Sequence, residues 1–127
     1  QPSFSNDIPK ERLARQVAES FVERFATRSN QNNNAHIDAV LPFVNEVMAT
    51  WVKTQTVAQS EAYVGVRTDV IATDVVAISD TAATVRIEAT QLTEGGPNAG
   101  SIQKKGKVEL VLDENGVWKV SGFFWDK

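Results

Sequence analysis

Residues 112–127 read LDENGVWKVSGFFWDK. The stretch opens on a turn, Glu114-Asn115-Gly116, whose asparagine and glycine tolerate the positive φ that tight hairpins need. A strand dense in tryptophan and phenylalanine follows. Strict alternation puts Trp118, Val120 and Phe124 on one face and Lys119, Ser121, Phe123 and Trp125 on the other. Gly122 is the candidate for a bulge or bend. A face this apolar needs a cover, and the helices earlier in the chain are expected to supply it.

The residues before the hairpin supply the rest of a sheet. IQKKGKVELVLD (102–113) alternates Val108, Leu110 and Leu112 against Lys107, Glu109 and Val111. TEGGPNAGS (93–101) is a Gly/Pro/Asn loop. AATVRIEATQL (82–92) alternates Ala83, Val85, Ile87 and Ala89 against Thr84, Arg86, Glu88 and Thr90. Ser79-Asp80-Thr81 is a tight turn, and YVGVRTDVIATDVVAIS (63–79), rich in β-branched residues, is one long bent strand or two.

The first half of the chain has a helical period. Leu13, Val17, Phe21 and Phe25 recur every fourth residue beside Ala14 and Ala18. Ser5 or Asp7 can cap this helix, and Pro9 suits its first turn. Lys10, Glu11, Arg12, Arg15, Glu19, Glu23 and Arg24 form a mixed-charge face expected to be solvated. TRSNQNNNAH (27–36) reads as a polar loop. From about Ala35 to Thr54 a second helical region is split by Pro42, with Val44, Val47, Met48 and Trp51 expected to face inward.

Helices first and a meander afterwards describe an α+β domain, with the N-terminal helices packed on a strongly curved antiparallel sheet of about four to six strands. The last strand is expected inside the sheet, between its hairpin partner and the first long strand, with Trp118 and Phe124 turned to the helices. The 127 residues make one domain, in which 1–8 and 29–34 are expected to be flexible. A net charge of -3 and a pI near 5.1 speak against a nucleic-acid-binding footprint, which needs a basic patch. There is no cysteine, hence no disulfide and no thiolate chemistry. The chain opens on Gln1, as a processed protein or an excised domain does.

The element order, closing on a long strand, Glu-Asn-Gly, Trp-Lys-Val and an aromatic end, resembles the nuclear-transport-factor-2-like (NTF2-like) superfamily from about Leu13 to Trp125. Within it, Ser79-Asp80-Thr81, Ala83-Thr84-Val85-Arg86-Ile87, Gly95-Gly96-Pro97 and the hairpin into Trp118-Lys119-Val120 look most like Mce-associated membrane proteins and the inner-membrane scaffold domains of type IV secretion and conjugation machines. The resemblance implies a cone-shaped domain, a transmembrane helix upstream and an extracytoplasmic location, a cytoplasmic one being the alternative. The superfamily also holds isomerases, dehydratases and cyclases that work in a pocket between helices and sheet.

Proton abstraction in such a pocket needs a carboxylate or imidazole base and an oxyanion donor. His36 is the one histidine. It stands two residues from Asp38, a spacing that does not share a helix face, and it is expected to be a solvated residue at a helix start. The inward strand positions are aliphatic. Metal binding is not expected with one histidine and no cysteine, EGGPNAG lacks the spacing of a phosphate loop, and no cofactor is implied. Candidate pocket residues are Trp51, Tyr63, Trp118 and Phe124, with Trp51 and Trp118 read first as core and Tyr63 as a rim residue. Phe123 and Trp125, on the opposite face, are the candidate interface. The expected function is non-enzymatic: a scaffolding or accessory domain of a membrane-anchored protein in a transport, secretion or conjugation assembly, with protein partners or self-association and no nucleic acid. The alternative is a small-molecule enzyme or binder using the cone pocket. An apolar stretch of about 20 residues upstream of Gln1 separates the two.

Overall fold

The computed structural model describes residues 7–97 and 99–126. A long helix α1 (Asp7–Phe25) is followed by a two-residue strand β1 (Arg28–Ser29), a short helix α2 (Ala35–Val40), a 3-10 turn (Leu41–Phe43) and α3 (Glu46–Val52). Four strands complete the chain: β2 (Gly65–Ile78), β3 (Ala82–Glu94), β4 (Gly100–Leu112) and β5 (Trp118–Trp125). All pair antiparallel in one sheet of order β1-β2-β3-β4-β5. This is the expected α+β architecture, and among the described residues no helix follows Thr81.

Ser5, one expected cap of α1, lies outside the described residues, and Asp7, the other, opens the helix. The buried side of α1 is Ala14, Ala18, Phe21, Val22 and Phe25, whereas Leu13 is exposed. The expected stripe of every fourth residue is corrected here. A step of four residues overshoots a turn by about 40°, so a stripe from Leu13 to Phe25 drifts about 120° around the axis. The helix buries the straight line through the alanines instead. Opposite it lie Ala83, Val85, Ile87 and Ala89 of β3, Val108 and Leu110 of β4, and Trp118 and Val120 of β5.

Pro42 ends α2 as expected, inside the 3-10 turn. Asn45 then caps α3, its Oδ1 accepting from the Met48 amide at 2.9 Å. That start sets the helix's rotation. Met48 and Val52, one turn apart, are buried, while Val47 is 78% exposed and Trp51 40% exposed. Val47 and Trp51, expected inward, are themselves a turn apart and share the outer flank.

The sheet curls through local irregularities. β2 is a single strand in which Ile71 and Val76 are extra residues against β3, and both are pushed outward. At the first bulge the Val70 amide donates to Glu23 Oε2 of α1 at 3.0 Å. Glu23 therefore leaves the solvated face expected of it and ties the helix to the sheet. In β4, Gly106 sits where a Cβ would come 2.6 Å from the Phe124 carbonyl oxygen and 3.0 Å from the Trp125 ring. Only glycine lets the end of β5 pass this close. The β4–β5 hairpin is closed by Asp113, whose Oδ1 accepts from the amides of Asn115 and Val117. Gly116 alone there takes a positive φ, of 78°.

The third irregularity overturns the expected faces of β5. Glu109 pairs with Gly122 and Leu110 with Val120, so Ser121 is an extra residue and the alternation shifts by one after it. Phe123 turns inward at 8% exposure, Phe124 outward at 50%, and Trp125 packs against the core. Phe123 and Trp125 are thus core-side residues rather than an exposed interface, and Phe124 faces away from the helices. Trp118, ahead of the bulge, is buried as expected. Nor is β5 interior: it is the sheet edge, and β2 lies three strands away. The segment after α2 covers it. Val44 bridges Val120 in parallel, the Asn45 amide donates to the Val120 carbonyl at 3.1 Å, and Lys119 Nζ donates to the Pro42 carbonyl at 2.7 Å.

Phe123→Ala and Trp118→Ala should each cost about 3–5 kcal/mol in urea unfolding, the range for a large buried aromatic. Phe124→Ala should stay within about 0.5 kcal/mol, as exposed substitutions do. A large loss at Phe124 with a small one at Phe123 contradicts the bulge.

Candidate functional site

The concave face is not aliphatic along its whole length. The inward series of β3 continues past Ala89 to Gln91, and that of β4 runs back from Val108 through Gly106 to Lys104. Gln91 is buried, as is Thr68 of β2. Gln91 Nε2 donates to Thr68 Oγ1 at 3.0 Å, and the Thr68 hydroxyl donates to the Ala26 carbonyl just past α1 at 2.8 Å. The Thr68 amide in turn donates to Thr27 Oγ1 at 3.0 Å. The end of α1 is thereby stitched to the floor of the sheet, and each buried polar group is spent on another.

Around this network opens a cavity of about 320 Å³ at the wide end of the cone. Phe25, Trp51, Phe123 and Trp125 form the aromatic part of its wall. Phe25 lies 5.5 Å from Trp51 and Phe123 4.9 Å from Trp125, centroid to centroid. Gln55, Gln91, Arg28 and Lys104 supply the polar part of the wall, and no acidic residue is among the described residues lining it. Lys104 Nζ rests 4.6 Å above the Trp125 ring.

His36 stands behind this wall rather than in solvent. It is 2% exposed, its ring 5.9 Å from that of Phe25. Its Nε2 lies 2.9 Å from the Gln55 carbonyl oxygen, so that nitrogen carries the proton and donates. Nδ1 is buried with no hydrogen-bond partner among the described residues. The solvated histidine of the sequence reading is a positioning residue instead, bracing two members of the cavity wall. The asparagine-rich loop is also tied down. Asn30 is buried, its side chain donating to the Ala62 carbonyl and accepting from the Val64 amide. Asn34 Oδ1 accepts from the Val57 amide at 2.6 Å.

A second concavity, about 350 Å³, lies outside the cone between α3 and β5. Val47, Met48 and Trp51 form one side and the 121–124 segment, with Phe124, the other. Beyond Val120 the outer edge of β5 makes no backbone hydrogen bond among the described residues; along it Gly122 and Phe123 are buried, while Ser121 and Trp125 are half-buried and Phe124 is exposed.

The four pocket candidates therefore part company. Trp51 stands between the cavity and the groove. Phe124 belongs to the groove alone. Trp118 is core, with Lys10 Nζ 5.9 Å over its ring. Tyr63 is an exposed rim residue lying over Gly65. Sequence reasoning missed Gln91 and Lys104, though continuing the two inward series reaches both. Arg28 and Gln55 carry no such signal, since each is placed by the loops. Thr68→Val keeps the side-chain shape but strands the Gln91 and Ala26 groups, and should cost about 1–3 kcal/mol in urea unfolding.

No protein-family model matches the chain, and no curated protein does. A solved structure described as an NTF2-like protein involved in plasmid conjugation superposes with a TM-score of 0.64 at 15% identity. The match covers 92% of this chain and 49% of that one, so the chain spans about half of its neighbour's length. Identity this low speaks for the fold alone. With helices enclosed by a strongly curled five-stranded antiparallel sheet, the chain has the NTF2-like cone fold.

Proposed function

We propose that this domain is a non-enzymatic docking module of a membrane-anchored, extracytoplasmic protein, with a scaffolding or accessory role in a conjugation or secretion assembly. The observation that carries the reading is the apolar groove of Val47, Met48, Trp51 and Phe124 beside the unpaired end of β5. An open edge accepts an added strand through its backbone, and the adjoining groove of Val47, Trp51 and Phe124 accepts that strand's apolar side chains. The likeness to an NTF2-like protein involved in plasmid conjugation supports placing the module in an assembly of that kind.

The test is site-specific photocrosslinking in the source cell. A photoreactive residue at position 124 should trap a membrane-associated partner, and one at position 84, on the same outer face but two strands away in β3, should not. Phe124→Glu should abolish the trapped species while leaving the fold intact by circular dichroism. Equal trapping at both positions, or a Phe124→Glu protein that associates as before, overturns the reading.

A further inference from the structure

We infer that the groove between α3 and β5 takes a short segment of a partner protein in which a large apolar side chain stands between a basic and an acidic residue. The inference rests on the docking reading above and names the partner's chemistry. Phe124 and Trp51, 50% and 40% exposed, set the apolar part. The volume of about 350 Å³ seats side chains rather than a helix, since one helical turn, about 10 Å across, fills roughly 400 Å³. Met48, which also lines the groove, is unbranched and polarizable and adapts to side chains of different shape.

Two charges from β4 flank this apolar surface. Gly122 lines the groove, and a Cβ there would lie 3.1 Å from Glu109 Oε1 and 3.1 Å from the Phe124 ring. The absent side chain lets carboxylate and ring approach the same spot. Lys107 pairs with Phe124 in the ladder and holds its Nζ 5.6 Å from that ring's centroid. Both charged residues are half-buried, and among the described residues neither forms an ion pair. Their neighbours on the outer face are matched: Arg86 holds Asp126 at 2.6 Å and Lys105 lies 3.6 Å from Glu88. Arg86 also stands directly across from Lys107, and like charges opposed in a ladder cost stability. An acidic side chain arriving from a partner relieves that repulsion. The Glu109 carboxylate, half-buried without a cation, gains from an incoming ammonium or guanidinium. Glu109 and Lys107 are two residues apart along β4, about 7 Å. A segment that satisfies both while seating an apolar side chain is held in one direction and one register.

Photocrosslinking from position 124 in the source cell, with mass spectrometry of the trapped peptide, tests the chemistry. The cross-linked stretch should carry a Lys or Arg and an Asp or Glu within about three residues of a large apolar one. Glu109→Gln and Lys107→Gln should each lower the trapped yield about fivefold, and the double variant should lower it further. Lys105→Gln, on the same face but away from the groove, should leave it unchanged. Circular dichroism checks that each variant keeps its fold. Trapping that Glu109→Gln and Lys107→Gln leave as it was, or a trapped segment lacking either charge, overturns the inference while the docking reading stands. A cross-linked lipid or second copy of this chain in place of such a segment also overturns it. No trapping at position 124 at all overturns both.

Discussion

The contact of Phe123 with α1 is what the rest of the domain is arranged around. Its ring meets Phe21 edge-on at 5.6 Å and Phe25 at 6.3 Å. It does so only because the extra residue at Ser121 reverses the alternation of β5. Without that reversal Phe124 would enter the cone, Phe123 would face solvent, and Trp125 would leave the mouth. One inserted residue therefore determines both how the helix is held and which aromatic groups line the opening. Gly106 completes the arrangement by letting the end of β5 lie close against β4.

The two concavities share a wall. Trp51 and Phe123 line both the cavity and the groove. An occupant of either site presses on side chains that also shape the other, and packed aromatic groups transmit displacement rather than absorb it. Trp51 owes its position to the Asn45 cap and the Val44–Val120 bridge. The same short segment thus covers part of the edge of β5 and carries the residue that divides the two sites.

Much of the fold was legible because period and turn chemistry are local. The alternation in β3 and β4, the proline stop after α2 and the Asn-Gly hairpin all appear where their residues place them. What was not legible depended on a shift of one residue. Gly122 marked a possible bulge, but a bulge changes the face of everything after it, and no local signal states whether the extra residue comes before or after Phe123. The rotation of α3 was hidden for a similar reason: Met48 and Val47 are equally apolar, and only the cap at Asn45 chooses between them. Burial of His36 escaped because its partners, Phe25 and the Gln55 carbonyl, are distant in sequence. Of the cavity wall, Gln91 and Lys104 followed from period, while Arg28 and Gln55 required the loops to be in place.

The strand order repeats the chain order, and this separates the domain into two scales of assembly. The turns between β2, β3, β4 and β5 are short, so each pairing closes a small loop at little entropic cost. The sheet can zip hairpin by hairpin. The helical half closes far longer loops, as at Thr27 against Thr68 and Val44 against Val120. Those contacts gain nothing until the sheet has curled enough to receive them. In the folded protein the same division favours partial opening. Release of the segment around Val44 and Asn45 breaks one bridge and one backbone bond to β5 while every β2–β5 ladder stays intact. The edge of the sheet is thus a place where the molecule can open without coming apart.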